Sequence, residues 1–173
     1  HRMKWKALWT PATPGEGGSP TGGVAILVRD ELGLEYPPSK PCGCGSRMVA
    51  GVVTVPGGLR FLATSVYAEE GTQLGEVNLH LLAELGRTIA QFGGLSISAG
   101  DWNMAPSIVQ GSGMPTMATL EVVAPSRVHG TCCPPGKRPS TIDYFLVSSA
   151  LAALITECAP DLTRHGRPRP HRP

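Results

Sequence analysis

Three short runs in this sequence place residues able to handle phosphate at the ends of apolar segments. Gly100-Asp101-Trp102-Asn103 follows Leu95-Ser96-Ile97-Ser98-Ala99, whose alternation of apolar and small polar residues predicts a half-buried strand. A carboxylate and an amide two residues apart at a strand end face the same side. Asp101 could then activate a water while Asn103 donates to a phosphoryl oxygen. The same four residues are also good turn chemistry, since an aspartate can accept from the backbone two residues on. In Ser140-Thr141-Ile142-Asp143-Tyr144-Phe145-Leu146-Val147-Ser148, Asp143 interrupts a strand that otherwise looks buried. An acid placed there needs a hydrogen bond or a cationic partner, for which a histidine is the natural candidate, unless it sits at a sheet edge facing water. Tyr67 closes a third apolar run, Leu59 to Tyr67, where a tyrosine can serve as packing or as a hydroxyl donor.

These residues need rigid elements behind them, and the sequence supplies a strand-rich set. Gly23-Val24-Ala25-Ile26-Leu27-Val28-Arg29 is short, continuous and β-branched, the pattern of a strand buried on both faces. Met48 to Val55 and Leu59 to Tyr67, separated by Pro56-Gly57-Gly58, predict a hairpin. From Thr72 onward Leu74, Val77, Leu81, Leu85 and Ile89 recur at helical spacing, with Gly93-Gly94 at the C-cap position. A strand is predicted over Leu120 to Val123 and a short helix over Ser149 to Ile155. The first twenty-one residues, rich in Gly and Pro, read as a loop segment, and Met104 to Met117 as another. This mixture predicts an α/β (α+β) sheet protein in one domain over residues 22–162, followed by a basic Pro/Arg tail over 163–173.

Composition narrows the function classes. With 22 Gly and 17 Pro among 173 residues and 16% charged, against roughly 25% charged in an average domain, many short elements joined by turns are expected rather than a helical bundle. Aromatic residues at 5% are too few for a base-stacking platform of the kind single-strand binders use. The net charge of +2 does not by itself announce nucleic acid, although Arg164, Arg167, Arg169 and Arg172 crowd into the tail. Neither a secretory leader nor a membrane span is visible, so a soluble, intracellular protein is the expectation. Cys42-Gly43-Cys44 and Cys132-Cys133 lack the two-residue gap of a zinc knuckle; loop thiols are expected there, and a small buried side chain at Cys158.

Taken together, the runs resemble the endonuclease/exonuclease/phosphatase superfamily. Gly23 to Val28 resembles its early core strand, and Val66-Tyr67-Ala68 its Val-Tyr-Ala-Pro segment with Glu69 in place of proline. Gly100-Asp101-Trp102-Asn103 resembles its Gly-Asp-Phe-Asn signature, and Ser140-Thr141-Ile142-Asp143-Tyr144 its Ser-x-Ile-Asp-Tyr segment. His171-Arg172-Pro173 resembles the end of its Ser-Asp-His-x-Pro motif. The resemblance implies two packed, mostly antiparallel sheets flanked by helices, a four-layer αββα sandwich. It implies a Mg²⁺- or Mn²⁺-dependent phosphodiester hydrolase, most readily an endonuclease acting on nucleic acid, DNA before RNA. A phosphatase of phosphorylated lipid or inositol is the alternative. By the same resemblance Asp101 orients or deprotonates the attacking water, Asn103 and Tyr67 bind the phosphate, and Asp143 holds the imidazole of His171. His165 is the competing histidine but lacks the Arg-Pro that follows His171.

Two departures bear on activity. The family's core asparagine and metal-binding glutamate should precede Gly22, and the first twenty-one residues contain neither in a strand context, so the domain is expected to be incomplete at its N-terminus. The aspartate expected before the last histidine is Pro170. Glu16 lies in the Gly/Pro-rich loop and is a poor substitute for a ligand that must be held rigidly against a hard cation; Asp101 is the nearest metal candidate, and robust activity of residues 1–173 would instead implicate Glu16 or Glu31. The expectation is weak or absent activity for residues 1–173 alone, and a non-catalytic remnant of the same fold is a second reading.

Overall fold

The structure, a computed structural model, describes residues 4–15, 18–38, 44–126, 130–133, 135–136 and 138–159. Its strands are β1 (Trp5–Pro14), β2 (Pro20–Arg29), β3 (Gly33–Glu35), β4 (Met48–Thr54), β5 (Arg60–Tyr67), β6 (Leu95–Asp101), β7 (Leu120–Val123) and β8 (Asp143–Ser148). Its helices are α1 (Glu76–Phe92), α2 (Pro106–Gly111), α3 (Met114–Met117) and α4 (Ser149–Ala152), with a 3₁₀ turn at Gly45–Arg47. β1 and β2 form a two-stranded antiparallel sheet; the others form a six-stranded sheet in the order β3-β4-β5-β6-β8-β7. Its neighbours are antiparallel except β5 and β6, which run parallel because α1 crosses over between them.

The period of two along each strand divides the larger sheet into two faces. Met48, Ala50, Val52, Leu62, Val66, Tyr144 and Leu146 point to one side, where Leu81, Leu82, Leu85 and Ile89 of α1 close the core. Ser96 and Ser98 are fully buried on this side, and their small side chains leave room for the helix. On the opposite face the β1–β2 hairpin covers β4 and β5, with Val24, Val28, Val49 and Val53 buried and the Leu8 side chain against the Gly51 backbone. Asp101, Tyr67 and Asp143 belong to this second face.

The structure corrects several expectations. The Gly/Pro-rich start is not all loop: Trp5 to Pro14 pairs in continuous antiparallel register with β2, from Trp5 opposite Arg29 to Pro14 opposite Pro20. Its prolines lie toward the turn, and one face of the strand covers the larger sheet. β2 is buried on one face only, since Leu27 is 59% exposed, as are Trp5 at 52% and Trp9 at 63% on the same outer side of the hairpin. The stretch expected as a long loop after Met104 holds α2 and α3, each begun by a proline in its first turn. Val77, one of the apolar residues at helical spacing, is 41% exposed. Cys44, not Cys158, is the buried thiol, and Cys132, Cys133 and Cys158 are free. Among the described residues no helix is long and apolar enough to cross a membrane.

Candidate active site

Three strands bring the predicted residues to one end of one face. In the parallel β5–β6 ladder Tyr67 is the partner of Asp101, and in the antiparallel β6–β8 ladder Asp101 is the partner of Asp143. Residues separated by up to 76 positions in sequence are thus neighbours across adjacent strands, which lie about 4.8 Å apart. All three are half-buried. His171, His165, Glu16 and Pro170 lie outside the described residues. Glu31 follows β2 beside Gly33, which pairs with Thr54 at the far end of the sheet, and it is ion-paired to Arg29 at 3.8 Å with both side chains exposed. It cannot serve this site.

The strand ends are tied together by backbone and side-chain hydrogen bonds. The Ala68 N–H donates to the Asp101 carbonyl (2.9 Å) and the Trp102 N–H to the Ile142 carbonyl (2.7 Å). Past Asp101 the alternation sends Trp102 into the opposite, core face, where it is fully buried and stacks on Tyr144 with ring centroids 5.5 Å apart. Its indole N–H donates to the Tyr144 carbonyl (2.9 Å). The Tyr144 hydroxyl donates to the Met104 carbonyl (3.2 Å), and burial raises its pKa above the ordinary phenol value. Gly100 is required between these layers: a Cβ there would overlap the Val66 carbonyl oxygen.

Asn103 adopts a left-handed backbone, φ +47°, which asparagine tolerates better than most residues. Its N–H donates to the Asp101 Oδ1 (3.0 Å), and its side-chain Nδ2 donates to the Ala68 carbonyl (2.8 Å). This is the turn reading of the tetrapeptide: the Asx turn holds one Asp101 oxygen and ties the Asn103 amide to the end of β5. Thr131 does comparable work at β8, its hydroxyl oxygen accepting the N–H groups of both Ile142 and Asp143 (3.0 Å each).

Arg47 and Asn78, like Thr131, support this strand end without having stood out in the sequence. Arg47, in the turn before β4, lies 5.7 Å from the Tyr67 ring centroid, and its Nη2 is 3.5 Å from the Glu69 carboxylate. Its position was readable, because the hairpin register sets Met48 opposite Val66. Glu69 stands where the resemblance places a proline, and it serves as this arginine's counter-ion. Asn78 of α1 is fully buried and holds the chain after Tyr67: its Oδ1 accepts the Glu69 N–H (2.7 Å) while its Nδ2 faces the carbonyls of Glu69 (3.0 Å) and Gln73 (2.7 Å). Within a helix pattern an asparagine gives no sign of such a role.

Among the described residues there is no group of three or more His, Cys, Asp or Glu able to hold a metal ion. The site offers two half-buried carboxylates, Asp101 and Asp143, on paired backbone positions. Mg²⁺ takes oxygen ligands, keeps several of its waters and needs only one or two protein carboxylates, so this donor set suits a hard divalent cation.

Two packed sheets with helices on the larger one give this chain the fold seen in solved structures of endonuclease/exonuclease/phosphatase proteins. The chain is similar to an endonuclease/exonuclease/phosphatase family protein from Bacteroides thetaiotaomicron (TM-score 0.60, 16% identity, covering 83% of this chain and 59% of that one). It is similar as well to a mannosyl-6-phosphatase from Bacteroides thetaiotaomicron (0.60, 15%, 84% and 63%). The D. rerio TDP2 structure, complexed with a single-strand DNA product, also matches (0.56, 16%, 82% and 62%). The chain thus spans about three fifths of the length of these solved chains. No family model and no curated protein matches the sequence.

Proposed function

We propose that the protein hydrolyses phosphoester bonds, with nucleic-acid phosphodiesters as substrate, DNA before RNA, by attack of water on phosphorus. The observation that carries this reading is the row Tyr67, Asp101, Asp143 on three neighbouring strands of one face. Asp101 orients the attacking water and takes its proton, its other function being to anchor the Asn103 N–H. Asn103 and Tyr67 donate to the phosphoryl oxygens, where donors fixed beforehand stabilise charge that develops in the transition state. Asp143, fixed at the backbone by Thr131, orients the imidazole of His171. Asp101, the nearest candidate, would contribute to holding Mg²⁺ or Mn²⁺, which would supply charge neutralisation at the leaving oxygen.

Similarity to TDP2 bound to a DNA product supports nucleic acid. Similarity to a mannosyl-6-phosphatase supports the second reading, a phosphomonoesterase. The test is plasmid nicking and phosphate release from sugar phosphates, each with Mg²⁺ and with EDTA. Asp101→Ala and Asp143→Ala should each lower EDTA-sensitive nicking by about a hundredfold or more. Turnover that survives both substitutions refutes the assignment; phosphate release without nicking selects the monoesterase.

A further inference from the structure

We propose that the cleft between the first turns of α1 and the turn Gly45–Arg47 is a nucleoside subsite. The inference rests on the phosphoester-hydrolase reading and specifies what flanks the phosphate. The cleft has a volume of about 420 Å³, within the usual range of small-molecule sites of roughly 300–1,000 Å³. It is sized for one nucleoside rather than a duplex. Arg47 lines the cleft and also reaches Tyr67 at 5.7 Å and Glu69 at 3.5 Å, so the cleft adjoins the catalytic strand end and shares a wall with it.

The lining matches a base and its sugar. Cys44, Val77 and Leu81 make an apolar floor. Arg47 and His80 contribute planar cationic or aromatic groups, the kinds of surface on which unstacked bases lie. Glu76, one helical turn before His80 and on the same side of α1, supplies a carboxylate to accept from an amino or hydroxyl group. Thr13 and Ser46, whose hydroxyls are 3.2 Å apart, close the wall toward β1. Charge argues against a second phosphate here, because Arg47 already faces Glu69 and Glu76 adds another negative charge.

The test is saturation-transfer NMR on the 173-residue chain with adenosine, adenosine monophosphate, ribose and inorganic phosphate as separate probes. Adenosine and its monophosphate should bind in competition with each other, ribose alone should not bind, and inorganic phosphate should not displace adenosine. Val77→Trp, at an exposed cleft position, should abolish adenosine binding. His80→Ala, also exposed, should weaken it roughly tenfold, the order of one lost stacking contact. Thermal melts verify that both variants remain folded. No adenosine signal, displacement by inorganic phosphate, binding of ribose equal to that of adenosine, or affinity unchanged in both variants overturns the subsite. Such a failure is separable from failure of the hydrolase reading: nicking that needs Asp101 together with no adenosine binding sinks the subsite alone, and adenosine binding together with turnover that survives both Asp101→Ala and Asp143→Ala sinks the hydrolase assignment alone.

Discussion

Replacing Gly100 by alanine is the smallest change that should break fold and site together. Gly100 pairs with Val66 in the parallel ladder and with Tyr144 in the antiparallel one. A Cβ built on it falls on the Val66 carbonyl oxygen, 2.8 Å from the carbonyl carbon and 3.0 Å from the Val66 Cβ. Carbon atoms in contact sit about 3.5–4.0 Å apart, so β5 and β6 would have to part by roughly 0.7 Å or more at this point. The obstacle is backbone, which cannot rotate aside as a side-chain tip can. Forced overpacking of this kind costs about 1–3 kcal/mol, and we expect the upper end because the adjoining hydrogen bonds from Ala68 and Trp102 lengthen with it. The same displacement moves Asp101 away from Tyr67, and misplacement by about 1 Å can cost a hundredfold in rate. Urea denaturation followed by far-UV circular dichroism gives the first quantity and the nicking assay the second. A Gly100→Ala protein within about 0.5 kcal/mol of the parent would show that the strand pair is looser than its geometry implies. Normal stability with normal nicking would refute the coupling of this backbone to the site.

Two further substitutions test the supports of the site. Asn78→Ala removes a fully buried side chain and the partner of the part-buried Glu69 N–H and of the Glu69 and Gln73 carbonyls, and should cost about 1–3 kcal/mol in urea denaturation; a loss under about 1 kcal/mol would mean that water replaces it freely. Tyr144, whose folded pKa lies above its unfolded value near 10, contributes stability that is fully present below pH 10. That contribution fades as pH rises toward the folded value, because the unfolded chain ionises first. Tyr144→Phe should therefore flatten the fall in urea midpoint between about pH 9 and 11; an equal fall in both proteins would assign the slope to other groups.

The elements that were legible in the sequence are those whose pattern is local. The hairpin β4–β5 follows from two β-branched runs and a Pro-Gly-Gly spacer, α1 from its apolar spacing and Gly93, whose φ of +67° is the left-handed cap expected there. The β7 limits, Leu120 to Val123, coincide with the predicted ones. β1 was not legible because prolines and glycines outweigh its alternation, and only pairing with β2 makes it a strand. α2 and α3 are too short to show a period. At the candidate site, Asp101, Asn103 and Asp143 stood out because an acid or amide at the close of an apolar run is costly without a reason, and Tyr67 because it closes such a run with a hydroxyl. Asn78 and Thr131 did not, since their partners are backbone groups outside their own segments, which no residue-type pattern encodes; Arg47 did not because its partners, Tyr67 and Glu69, are side chains on another part of the chain.

The placement of the three tryptophans makes the molecule spectroscopically divisible. Trp5 and Trp9 lie largely in solvent on the outer side of the hairpin while Trp102 is fully enclosed. The first two should emit at long wavelength and yield to acrylamide, leaving a blue-shifted, quencher-resistant fraction from a single indole. That indole sits between Asp101 and Asn103 in the chain, so the protected fluorescence reports on the packing of one strand end and on little else. A ligand arriving there, or a substitution that loosens β6, can be followed without attaching any label.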